Sequence, residues 1–94
     1  MSTPSELAQI RTELDALDLR LFSLLAERQR LIERVIDFKR RNSLGVVDRQ
    51  REDEMLDQAE KSGRAVDLDP RVARQVLRAI IDAFTLLEVE DLEP

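Results

Sequence analysis

The sequence predicts an all-α protein of three helices, long, short and long. Three observations point there. Only two Gly and three Pro occur in 94 residues, so turns are few. Hydrophobic residues make up 43% but aromatics only 3%, which leaves Leu, Ile, Val and Ala to build a core and suits helix packing better than a β-sandwich. Apolar residues also recur at steps of three and four from Leu7 to Phe38, with no Gly or Pro between. The length suits a single domain, 1–94.

The first helix is expected over about 5–42. Its stripe reads Leu7, Ile10, Leu14, Leu17, Leu21, Leu24, Leu31, Val35 and Phe38, a heptad pattern, and Thr3 or Ser5 can cap its start. At ~1.5 Å per residue such a helix is roughly 55 Å long. A compact chain of this size has a radius of gyration of only about 13 Å. The other two helices can cover only part of the stripe, so a homodimer through the long helix is the simplest expectation.

Asn42-Ser43-Leu44-Gly45 breaks the pattern, with Gly45 expected to supply the turn. Val46-Val47 then lead to Asp48, a good N-cap. The second helix is expected over about 48–62, with Met55, Leu56 and Ala59 as its apolar side and Gly63 as its stop. Asp69-Pro70 reads as the cap and first residue of a third helix, over about 70–90. Val72, Ala73, Val76, Leu77, Ile80, Phe84 and Leu87 carry its helical period.

Several kinds of chemistry are excluded. With no His and no Cys there is no soft metal site, no thiolate and no Ser-His-Asp arrangement. Any catalysis must be electrostatic work by Arg, Lys, Asp, Glu and hydroxyls, and no cofactor is expected. A net charge of −5 argues against general nucleic-acid binding. No apolar run approaches the ~20 residues of a membrane span, and the first residues lack the pattern of a signal peptide. A soluble, cytoplasmic protein is expected.

Charges interrupt the long stripe. Arg28 stands where an apolar residue belongs, and a neighbouring stripe reads Arg11, Leu14, Asp18, Leu21, Leu25, Arg28, Ile32, Val35, Lys39. Burying an unpaired cation is costly, so each needs an anion. One reading is an internal salt bridge, for example of Arg11 or Arg28 with Asp18 or with a carboxylate of another helix. The other is an anionic ligand, since an Arg fork grips a carboxylate through two hydrogen bonds. Arg28 and Lys39 lie roughly 16 Å apart along an ideal helix and can converge on one small molecule. Arg11 and Arg28 lie about 25 Å apart and cannot do so within one chain. If both bind, one comes from a partner subunit. A second charged cluster is Asp48-Arg49-Gln50-Arg51-Glu52, ordinary for a helix start. Glu88 shares a face with Leu77, Ile81 and Phe84, although a Glu near a chain end is usually solvated.

Taken together, Ile10-Arg11, Leu17-Asp18, Leu24-Leu25-Ala26-Glu27-Arg28, Lys39, Val47-Asp48-Arg49-Gln50-Arg51-Glu52, Ile80-Ile81 and Glu88 resemble the all-helical, type II chorismate mutase family, over about 6–90. The resemblance implies an intertwined helical homodimer with two sites. It also implies a cofactor-free [3,3] rearrangement of chorismate to prephenate, on the way to Phe and Tyr. By the same resemblance Arg28 and the partner subunit's Arg11 grip the substrate carboxylates, with Arg51 positioning that end. Lys39 donates to the ether oxygen, Glu52 accepts from the ring hydroxyl, and Asp48 contributes near that hydroxyl. Two positions depart from the commonest pattern. Glu88 stands where many members have Gln, and Phe84 where many have a small hydroxyl residue. A carboxylate donates a hydrogen bond only when protonated, so Glu88 is either held protonated or leaves that role to Lys39. Activity is then expected to improve as pH falls. Related enzymes of the same fold act on isochorismate as pyruvate lyases or on the 4-amino analogue of chorismate. A non-catalytic helical dimer or adaptor is the alternative of another class, and a pathway enzyme is a possible partner.

Overall fold

In a computed structural model the chain forms three α-helices: α1 (Pro4–Arg41), α2 (Arg49–Ala65) and α3 (Pro70–Leu92). The described residues are 4–45 and 48–92, with backbone alone for Pro4 and Leu92, and no strand occurs among them. Thr3, Val46 and Val47, which the expected caps and motifs include, lie outside them.

α1 begins on Pro4, whose missing N–H costs nothing at a first helical position. Ser5 is therefore inside the helix rather than capping it, a correction caused by the proline's helix-ready φ. At the other end the Leu44 N–H donates to the Lys39 carbonyl at 2.9 Å, and Ser43 takes a φ of 55°. This closure requires a left-handed residue two positions past the last helical one. That residue is Ser43, so Gly45, whose φ is not positive, does not make the turn.

α2 ends by the same device. Leu68 N–H donates to the Gly63 carbonyl at 2.8 Å and Asp67 N–H to the Arg64 carbonyl at 3.3 Å, with Asp67 at φ 58°. The helix thus runs through Gly63 to Ala65, beyond the expected stop at 62. Gly63 serves close approach instead. A Cβ there would sit 2.8 Å from the Ala73 Cβ and 3.3 Å from the Leu68 carbonyl oxygen. Both expected N-caps are present. Asp48 Oδ1 accepts from Arg51 N–H at 3.0 Å, and Asp69 Oδ1 from Arg71 N–H at 2.9 Å.

The chain divides into two compact units, 1–33 and 34–94. In the first, Leu7, Ile10, Leu14, Leu17, Leu21, Leu24 and Leu31 are all exposed, so the apolar stripe of α1 lies open along this unit. The second unit holds the last turns of α1 with α2 and α3. There α2 and α3 run antiparallel: Glu52 meets Arg78, Asp57 and Glu60 meet Arg74, and Gly63 meets Ala73. Its buried apolar side chains are Ile36, Leu56, Ala73 and Ile81, so each helix supplies at least one. No helix among the described residues is long and apolar enough to cross a membrane.

Candidate active site

One face of α3 organises the charged residues of the second unit. Arg78, Ile81, Phe84 and Glu88 follow at steps of three, three and four and so lie along one side of the helix. Near its end Lys39 of α1 donates from Nζ to Glu88 Oε2 at 3.1 Å. The two side chains are 19% and 10% exposed. Glu88 is buried despite lying near the chain end, because it follows Ile81 and Phe84 on the packed face and meets a cation there. Arg40 Nη2, donating to the Asp91 carbonyl at 2.8 Å, ties the same helix ends together. A Lys–Glu pair withdrawn this far from water gains little net stability, since desolvation offsets most of the attraction.

The start of α2 supplies the second group. Asp48 is engaged as the N-cap through its Oδ1. Arg51, exposed, stands at the edge of an open hollow of about 490 Å³ between α2 and α3, lined mainly by apolar side chains such as Met55, Ala59, Val76 and Ile80. Such a lining suits an apolar occupant, not a dicarboxylate. Glu52 turns towards α3, where Arg78 Nη2 donates to its Oε1 at 2.6 Å. Arg78 also holds Asp82, through Nε at 3.2 Å and Nη2 at 2.8 Å. Its guanidinium is raised above its ordinary value, first by the hydrogen bond to Glu52 and then by that to Asp82. Arg78 is absent from the set expected at the site. Its signal in the sequence is helical register: it falls three residues before Ile81, on the face that ends in Glu88.

Arg11 and Arg28 belong to the first unit. Arg28 is half-buried and Arg11 exposed, on an unbroken helix where 17 positions correspond to about 25 Å. Among the described residues Arg11 and Asp18 form no ion pair, so that internal bridge is not made. Of the expected residues, then, the structure joins Lys39 to Glu88 on the Ile81–Phe84 face, seats Asp48 on the α2 backbone at Arg51, and gives Glu52 an unexpected partner.

Fold and site together define an all-helical protein that sets cations against nearly buried carboxylates across neighbouring helices. Comparison with known proteins narrows the class. The family profile described as chorismate mutase type II matches residues 10–89, and the chain belongs to that family. It is 32% identical over 77 residues to the T-protein of Enterobacter agglomerans, covering 82% of this chain and 21% of that protein. Against the T-protein of Haemophilus influenzae it is 35% identical over 82 residues, covering 83% of this chain and 22% of that protein. Against the chorismate mutase of Methanocaldococcus jannaschii it is 26% identical over 88 residues, covering 94% and 89%. The chain thus spans about a fifth of the length of the two T-proteins.

Proposed function

We propose that this chain acts as a chorismate mutase, converting chorismate to prephenate in the cytoplasm as a homodimer with two equivalent sites. Family membership and the Methanocaldococcus jannaschii relative, of which the chain covers 89%, support the activity. The observation that carries the site is the Lys39–Glu88 pair, held across two helices against an apolar face at the position assigned to the ether oxygen. A rearrangement within one molecule needs no nucleophile. It needs the flexible dicarboxylate held in its reactive chair and a donor where negative charge builds on oxygen. Lys39 is that donor, leaving Glu88 for the ether oxygen as the C–O bond lengthens. Arg28 and the partner subunit's Arg11 hold the carboxylates, Arg51 positions that end, and Asp48 and Glu52 face the ring hydroxyl. Phe84 walls the site where a hydroxyl would give one more carboxylate contact.

Two features support pairing of copies. The apolar stripe of the first unit is open along its length, and the second unit has an apolar hollow of a kind such a stripe fills. The deciding assay supplies the purified chain separately with chorismate, isochorismate and the 4-amino analogue, and follows prephenate, salicylate and the amino product. Prephenate from chorismate is expected, with Lys39→Ala slower by about 10²–10³ in kcat. Salicylate as the main product, or no turnover of any of the three, rejects the proposal.

A further inference from the structure

We propose that Arg78 is a positioning residue of this site: it neutralises Glu52 and aims its second carboxylate oxygen at the substrate's ring hydroxyl. The inference rests on the reading of Glu52 given above and extends it to a residue outside the expected set. Glu52 is only 13% exposed, and its Oε1 accepts from Arg78 Nη2 at 2.6 Å. Its Oε2 bonds no other described residue and remains available to accept from a hydroxyl. A nearly buried carboxylate facing a substrate with two negative charges repels it unless the charge is cancelled. Arg78 cancels it through Oε1 and leaves Oε2 to accept. Asp82, exposed and one turn on, holds Nε and Nη2 and so fixes the plane of the guanidinium.

The competing explanation is a plain clasp between α2 and α3. Arg74 is such a clasp one turn earlier, with Asp57 and Glu60. Its partners are more exposed than Glu52, which makes it the internal control.

The test uses the full chain as wild type, Arg78→Gln, Arg78→Lys and Arg74→Gln. Four quantities are read: kcat and KM for chorismate, inhibition by a bicyclic ether dicarboxylate bearing the ring hydroxyl, and inhibition by its deoxy counterpart. A contact made in both ground and transition states shows mainly in KM. Arg78→Gln is expected to raise KM and the inhibition constant of the hydroxyl compound about tenfold. The deoxy compound should change less than twofold, Arg78→Lys should recover most of the loss, and Arg74→Gln should move none of these values. Equal weakening of both inhibitors, or no change in either, overturns the proposal. Should Arg78→Gln fail to fold, the Glu52→Gln/Arg78→Gln pair leaves no uncompensated charge and takes its place. It is expected to match Glu52→Gln alone within about twofold, as coupled residues do, and a further large loss overturns the proposal. A wild-type chain that turns over no chorismate and binds neither inhibitor removes the reading of Glu52 first, and this one with it. Wild-type turnover with an indifferent Arg78→Gln removes this one alone.

Discussion

At the scale of single residues, the two carboxylates of the proposed site, Glu88 buried and Glu52 nearly so, are held in different ways. Glu88 meets a flexible lysine that can leave it, whereas Glu52 meets a guanidinium braced by a second carboxylate. The Lys39–Glu88 pair tests whether the site exists for a ligand or for the fold. Replacing both with apolar residues of similar size, Lys39→Met with Glu88→Leu, is expected to leave stability unchanged or raise it by about 1–4 kcal/mol. Activity should vanish in the same variant. Denaturant unfolding beside a chorismate assay decides it, and a large loss of stability would mark the pair as structural. Glu88→Gln is expected to keep activity, because an amide N–H can donate to the ether oxygen where a carboxylate cannot. Loss of chorismate turnover in Glu88→Gln, with the fold intact, would sink that assignment.

At the scale of the helices, stability sits in ends and crossings. Asp67 occupies a left-handed position that costs an L-residue roughly 1 kcal/mol, and it places a negative charge at a helix C-terminus. Asp67→Gly is expected to raise stability by about 0.5–1 kcal/mol in thermal unfolding. Gly63→Ala should do the opposite and lower it by about 1 kcal/mol or more despite better helix propensity, because the new methyl meets the Ala73 Cβ. Ala73→Gly in the same chain should relieve the clash. Asp69, held below its ordinary 3.8 by Arg71, has a lower value folded than unfolded. Its contribution is therefore complete above the unfolded value and disappears as pH falls through the folded one. Asp69→Asn should abolish that acid dependence in pH-resolved melting.

The same contrast explains what could be read in the chain alone. Helix starts at Asp48 and Asp69-Pro70 were legible because a cap acts within three residues. Gly63 was misread as a stop because its reason lies ten residues on, in the bulk of Ala73, which no local pattern displays. Gly45 attracted the turn that Ser43 makes, since a Schellman closure is set by hydrogen-bond register and admits other residues. At the site, Lys39 and Glu88 were legible as an opposed pair through resemblance. Arg78 was hidden, because Asp82 four residues on makes it look like an ordinary exposed helix pair while Glu52 lies far off in sequence.

At the scale of the molecule, the proposed pairing has a signature that no single-chain scheme shares. A mixture of Arg11→Ala and Arg28→Ala chains, each inactive alone, should regain roughly a quarter of wild-type activity: half the dimers are mixed, and each mixed dimer has one intact site. Absence of recovery after co-refolding would place both arginines of one chain in a single site, or outside it. The open stripe of α1 has a last consequence. In the proposed homodimer a second copy covers it and stability follows mass action, so the melting temperature should climb with protein concentration. Specific activity should fall on dilution for the same reason, and a cell that makes few copies would hold less enzyme than its chain count implies.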